Sequence, residues 1–259
     1  GLPPDRDFMD AATAQASALH GLGELADAKA HWLALLQLQR SIYREPHDRI
    51  ANTLRSHAAV LATAGEVNAA VQAHRESIAM LQSVFGADHD ELIGAHAALG
   101  VTLASVRRFD EAEAEYLRAL SICAGHHPAG VACAQAHNNL GMTYYRRQQY
   151  APARAQMQQA LTRYREVYAG PHLNIAITLG TLANVAIGEG HAPEAVALAR
   201  DAVAMIDTVG MARSPVAATT RNSLAAALWL AGQNAEALVE IDLAIGIFDQ
   251  VRPAVLGRR

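Results

Sequence analysis

Asn138-Asn-Leu-Gly-Met-Thr-Tyr-Tyr-Arg-Arg-Gln-Gln-Tyr-Ala-Pro-Ala153 is the stretch that decides the fold. Leu140, Gly141 and Tyr144 fall at i, i+1 and i+4. Ala153, Met157 and Ala160 follow at i, i+4 and i+7. Each set makes one apolar stripe on a helix. Gly141 and Ala153 are small, as two closely approaching helices require, and the larger residues fill the space beside them. The stretch therefore predicts two amphipathic helices joined by a tight turn.

Working outward, Ala153 has counterparts at Ala28, Ala70, Ala112, Ala195 and Ala237, and the successive steps are 42, 42, 41, 42 and 42. Self-similarity at such a period marks a solenoid of stacked units. The third unit reads Leu99, Gly100, Leu103, then Ala112, Tyr116, Ala119. The fifth gives Leu182, Ala183, Ala186, Ala195, Ala199 and Ala202. The sixth gives Leu224, Ala225, Leu228, Ala237, Ile241 and Ala244.

The turns inside the units are periodic too. Gly23, Gly65, Gly190 and Gly232 share one place, where a helix end in the left-handed conformation favours glycine. Arg107 and Gln148 hold that place in units three and four, so those turns are expected to close differently or to carry strain. Longer connectors such as Gly86-Ala-Asp-His-Asp90 and Ala169-Gly-Pro-His172 stop one pair and cap the next. The expectation is one all-α solenoid over 1–259. Its units fall at about 5–46, 47–88, 89–129, 130–171, 172–213 and 214–250, with a tail over 251–259 that Pro253 and two arginines are expected to fray. Twelve helices of roughly 13–19 residues follow from the spacing of the breakers.

Bulk properties narrow the function. A net charge of −4 and a pI near 6.3 lack the basic stripe of a nucleic-acid binder. No apolar run reaches the roughly 18 residues of a membrane span, and no signal peptide is visible. The first residue is Gly1 rather than Met, so the chain is expected to be an excised or processed piece. A cytoplasmic address is expected, with a periplasmic one if the parent is membrane-anchored.

At these residues the chain resembles the tetratricopeptide repeat family. Asn138 to Tyr145, followed by Tyr150 to Ala153 and Ala160-Leu161, carries the likeness. The long period and the connectors are similar to the 42-residue variant of kinesin light chains and many bacterial proteins. The resemblance implies a right-handed α–α superhelix of six helix pairs. Its first helices would line a concave groove that binds a peptide or partner protein, without catalysis or cofactor. Carried over by position, the groove asparagines are Asn138, Asn139 and Asn222, with Gly180 and Thr181 standing at the equivalent places of unit five. Asn184, three residues on from Thr181, faces inward as well. Met142, Tyr145, Arg146 and Trp229 share those faces, and Arg55 extends them into unit two. Aromatic, Met and Arg side chains are the types enriched at interface centres. The carboxylate clamp of chaperone-binding members is incomplete, because Ala97 and Ala98 occupy its place in unit three.

Unit two departs from the pattern. His57 and His74 replace a Leu and an aromatic, and Ser77 replaces an alanine. Two partly buried, hydrogen-bonded histidines are expected, and a protonation-sensitive joint is the sharper alternative. His47, His89 and His172 share one position in their units, and such residues in adjacent units stand about 10 Å apart, one helix-pair width, which is too far to share a zinc ion. They read as loop and cap residues. His126, His127 and Cys133 form the one local group open to a metal test. Cys123 and Cys133 flank one connector and read as free thiols inside a cell, or as a disulfide if exported. No phosphate loop, nucleophile elbow or zinc-protease motif is present. The functional expectation is a noncatalytic interaction module with an unnamed protein or peptide partner. The alternative is a regulatory segment of a larger bacterial signalling protein, such as a serine/threonine kinase.

Overall fold

Tight turns after alternate helices set the architecture. The computed structural model describes residues 6–43, 46–125 and 130–256, and all regular structure among them is α-helical. Twelve helices form six pairs, grouped into two compact units, 1–128 and 129–259. The first unit holds α1 (Arg6–Gly21), α2 (Leu25–Ile42), α3 (Asp48–Thr63), α4 (Val67–Phe85), α5 (Glu91–Ser105) and α6 (Phe109–Gly125). The second holds α7 (Val131–Arg146), α8 (Tyr150–Val167), α9 (Leu173–Gly188), α10 (Ala192–Thr208), α11 (Pro215–Leu230) and α12 (Asn234–Leu256). Within each unit every helix packs on the next. First helices also touch the next first helix, as in α3 on α5 and α9 on α11. That contact pattern is a solenoid of helix pairs.

The periodic alanines are the crossing points. All six, from Ala28 to Ala237, are fully buried. Opposite them the first helix is also small. A Cβ added to Gly141 would lie 3.1 Å from the Ala153 carbonyl oxygen and 2.9 Å from Met157 Cγ. A Cβ on Gly100 would come within 2.6 Å of the buried Tyr116 ring. The small residues thus set the close helix approach rather than merely tolerate it.

All six intrapair turns close alike. The left-handed residue has φ of 79° at Gly23, 83° at Gly65, 78° at Gly190 and 76° at Gly232. Arg107 and Gln148 adopt the same conformation at 63° and 60°. The two turns without glycine therefore do not close differently; they take the strained geometry. The hydrogen bonds match as well: Glu24 N–H donates to Leu19 O at 3.0 Å, and Gln149 N–H to Tyr144 O at 2.9 Å. With the shorter bonds beside them, Gly23 N–H to His20 O at 3.0 Å and Gln148 N–H to Tyr145 O at 2.8 Å, these satisfy the orphan carbonyls at each helix end.

The periodic histidines cap helices. Nδ1 of His47, His89 and His172 accepts the N–H of Arg49, Glu91 and Asn174 at 3.1, 3.3 and 3.1 Å. Each ring stacks on an aromatic four residues earlier: Tyr43, Phe85 and Tyr168, at centroid distances of 4.1, 4.4 and 3.4 Å. His126 and His127 lie outside the described residues. Cys123 and Cys133 are both buried, and neither is a free thiol among the described residues. The C-terminal tail is helical further than expected, because α12 runs through Pro253 to Leu256. Half-exposed ion pairs link successive second helices, among them Lys29–Glu66 at 2.6 Å and Arg200–Glu236 at 2.8 Å; each adds little on its own.

Candidate interaction groove

In the second unit the first helices α7, α9 and α11 line an open cavity of about 320 Å³. Met142 contributes from α7, and Ile177, Gly180, Thr181 and Asn184 from α9. Pro215, Val216, Thr219, Thr220 and Ser223 contribute from α11. Gly180 creates its depth: a Cβ there would find nothing nearer than Thr220 Cγ2 at 3.9 Å. The hydroxyls of the wall are turned back onto their own helices. Thr181 donates to Ile177 O at 3.0 Å, Thr219 to Pro215 O at 2.9 Å, Thr220 to Val216 O at 2.8 Å and Ser223 to Thr219 O at 3.2 Å. Helical Thr and Ser do this readily. The wall is left largely apolar and holds no ionisable side chain. Asn184 supplies a half-buried carboxamide, with no hydrogen-bond partner for it among the described residues.

The residues marked by the sequence divide. Met142 and Asn184 meet on this cavity. Asn139 and Tyr145 lie on the Met142 side of α7, both half-buried. The Tyr145 ring sits 6.2 Å from Tyr150, and burial pushes its hydroxyl pKa up. Asn138 is committed to structure, since its Oδ1 accepts from Thr178 Oγ1 at 3.1 Å and ties α7 to α9. Arg146, Asn222 and Trp229 are exposed outside the cavity lining, Trp229 at 61%. Arg55 belongs to the other unit, where its guanidinium lies over Gly94 of α5, 3.2 Å from where a Cβ would stand. The wall residues Ile177, Val216, Thr219 and Thr220 were not singled out from the sequence. The available signal was the Gly180-Thr181 pair in place of two asparagines, which hollows the fifth unit.

Unit two contains the expected buried histidine. His74 is 2% exposed, and its Nε2 pairs with Thr102 Oγ1 at 3.1 Å. Burial, reinforced by the nearby Arg55 charge, lowers its pKa to about 4. Half-buried His57 is lowered as well, chiefly by burial. Ser77 Oγ donates to Ala51 O at 2.6 Å.

The tetratricopeptide repeat family model matches residues 49–125 and 132–208, more than half of the chain. The chain belongs to the tetratricopeptide repeat family. Among solved structures, BtubC (BKLC) from P. vanneervenii shares 19% identity, with a TM-score of 0.72 over 94% of this chain and 92% of its own. A putative kinesin light chain repeat protein of Podosopora anserina shares 18%, with a TM-score of 0.68 over 81% and 99%. A Rap protein complexed with Competence and Sporulation Factor shares 13%, with a TM-score of 0.66 over 95% and 74%. At these identities the likeness is one of fold. No curated protein matches the chain. Tetratricopeptide repeats are generally noncatalytic interaction scaffolds, and the chain has the architecture of a protein–protein interaction module. Among the described residues no helix is long and apolar enough to cross a membrane.

Proposed function

We propose that this tetratricopeptide protein is a noncatalytic module that holds an extended segment of a partner protein in the groove of α7, α9 and α11. The observation that carries the reading is the cavity beside Gly180, apolar on its walls and with one uncommitted carboxamide at Asn184. An apolar side chain of the partner fills the hollow. Asn184, with both a donor and an acceptor, holds the neighbouring peptide group. Tyr145 and Asn139 continue the surface along α7. Preformed helices lose little ordering entropy on binding, which favours such capture. Without an ionisable group in its wall, the site is built to hold rather than to move protons.

The Rap neighbour, complexed with Competence and Sporulation Factor, supports the related reading of a regulatory segment in a signalling protein. A disulfide of Cys123 and Cys133 fits an oxidising compartment, the periplasmic alternative to the expected cytoplasmic address.

The test is quantitative affinity capture from the native host with wild type, Gly180→Gln and Asn184→Ala. Gln is a good helix former and fills the hollow. A partner that both changes deplete at least tenfold supports the groove. A partner retained equally by all three proteins contradicts it.

A further inference from the structure

On each second helix the crossing alanine sets a register. In α10 the residues one, eight and eleven positions after Ala195 are Val196, Val203 and Ile206. Helix α11 covers them: Val196 and Val203 pack with Leu224 and Leu228, and Ile206 packs with Ala217. In α8 the matching Leu161 and Tyr164 are covered by Ile175, Leu179 and Leu182 of α9. The same register in α12 holds Leu238, Ile245 and Phe248. These are still large and apolar, yet 56%, 52% and 47% exposed. Even the outer position that is Gln159 in α8 and Asp201 in α10 is Leu243 in α12. A last repeat ordinarily turns a polar face outward, and a contiguous exposed apolar stripe marks an interaction surface. Helix α12 instead keeps the surface that receives a first helix.

Charge narrows what that helix is. Asp242 and Asp249 stand on the same stripe as Leu238 and Ile245, at i+4 and i+11 from Leu238. The other two acids of α12, Glu236 and Glu240, are paired with Arg200 and Arg221. Asp242 and Asp249 are exposed and have no ion-pair partner among the described residues. One junction earlier, both of their positions are paired across the contact. Arg200, at the place of Asp242, meets Glu236 at 2.8 Å, and Asp207, at the place of Asp249, meets Arg221 at 3.3 Å. An occupant that completes α12 therefore brings cations to both aspartates. A second copy does not. Stacked in the same register, it would set Asp27 against Asp242 and Ala12 against Asp249. Nor does the chain turn back onto this face where α10 does. Helix α12 starts at the same register as α10 but runs for 23 residues against 17.

We propose that the exposed face of α12 is a docking surface for a basic amphipathic helix of a partner protein. The apolar stripe of that helix covers Leu238, Ile245 and Phe248, and its Lys or Arg side chains pair with Asp242 and Asp249. The face shares no residue with the groove of α7, α9 and α11, so neither reading depends on the other.

The probes are three fluorescent amphipathic peptides of about 18 residues, long enough to form a helix. They share one leucine stripe and differ only in the flanking residues, which are Lys, Gln or Glu. In anisotropy titrations with the whole chain, the Lys peptide is expected to bind about tenfold more tightly than the Gln peptide, and the Glu peptide more weakly still. Ile245→Gln should weaken the Lys peptide about tenfold. Asp242→Lys with Asp249→Lys should reverse the order, so that the Glu peptide binds best. Asp7→Lys with Glu24→Lys changes the net charge equally and should leave the order as in the wild type. All five substituted residues are exposed, and circular dichroism checks that each variant keeps its helices. Equal binding of the three peptides, or no binding of any, would overturn the proposal. So would an order unchanged by charge reversal on α12, or one reversed by the control pair as well. A wild-type dimer in sedimentation that Ile245→Gln dissociates would make the occupant a second copy and overturn it too.

Discussion

Arg107 and Gln148 hold a backbone conformation that glycine holds in the other four turns. For an L-residue the left-handed region costs about 1–2 kcal/mol, part of which the extra freedom of glycine in the unfolded chain offsets. Gln148→Gly should therefore stabilise the protein by about 0.5–1 kcal/mol in urea unfolding, and Gly65→Ala should destabilise it by a similar amount or more. His74 gives a second residue-scale prediction. Its pKa is about 4 in the folded state against 6.5 unfolded. Between those values only the unfolded chain takes the proton, so stability falls as pH falls. The slope is about 1.4 kcal/mol per pH unit. Between pH 6.5 and 4.5, His74→Gln should flatten the stability profile by about that slope, and an unaltered profile would remove the explanation. At this scale the sequence showed that the two turns and the histidine were exceptional. It did not show that all six turns share one geometry, because glycine marks a left-handed residue while its absence does not forbid one.

At the level of elements, helix pairs are set by what is missing from their contact faces. Gly100 leaves space for the Tyr116 ring, and a Cβ placed 2.6 Å from it must displace a fully buried aromatic. Gly100→Ala should cost about 1–3 kcal/mol in thermal or urea unfolding, despite the better helix propensity of alanine. Helix starts depend on the stacked histidines. His172→Ala removes an acceptor from the Asn174 N–H and a ring from Tyr168, and should cost about 1 kcal/mol. The helix pairs, their period and their crossing alanines were legible because they are steric and repeat six times. The capping role of the histidines was legible from their place in the connectors. The stacking partners Tyr43, Phe85 and Tyr168 were not, although each lies four residues upstream. Their contact depends on how the chain leaves one helix and enters the next.

The molecule as a whole presents two compact units, and the second carries both the open apolar cavity beside Gly180 and the exposed apolar face of α12. By position the family's groove falls on the α7 and α9 faces, and Met142 and Asn184 both line the cavity between them. The remaining wall was hidden because it depends on side-chain direction. The α11 threonines present methyl groups only after their hydroxyls have turned to the helix carbonyls. Trp229, an attractive anchor by composition, is exposed away from that wall. A maleimide applied to the unfolded protein is expected to label neither cysteine before reduction and both afterwards; labelling before reduction would return the chain to a thiol-reducing compartment. Most directly, a photoreactive benzoylphenylalanine can be placed at Thr219, on the cavity wall, or at exposed Arg165 of α8, and irradiated in the native host. The account predicts a discrete crosslinked partner from Thr219 and none from Arg165. The same partner captured from Arg165, or nothing captured from Thr219, would contradict it.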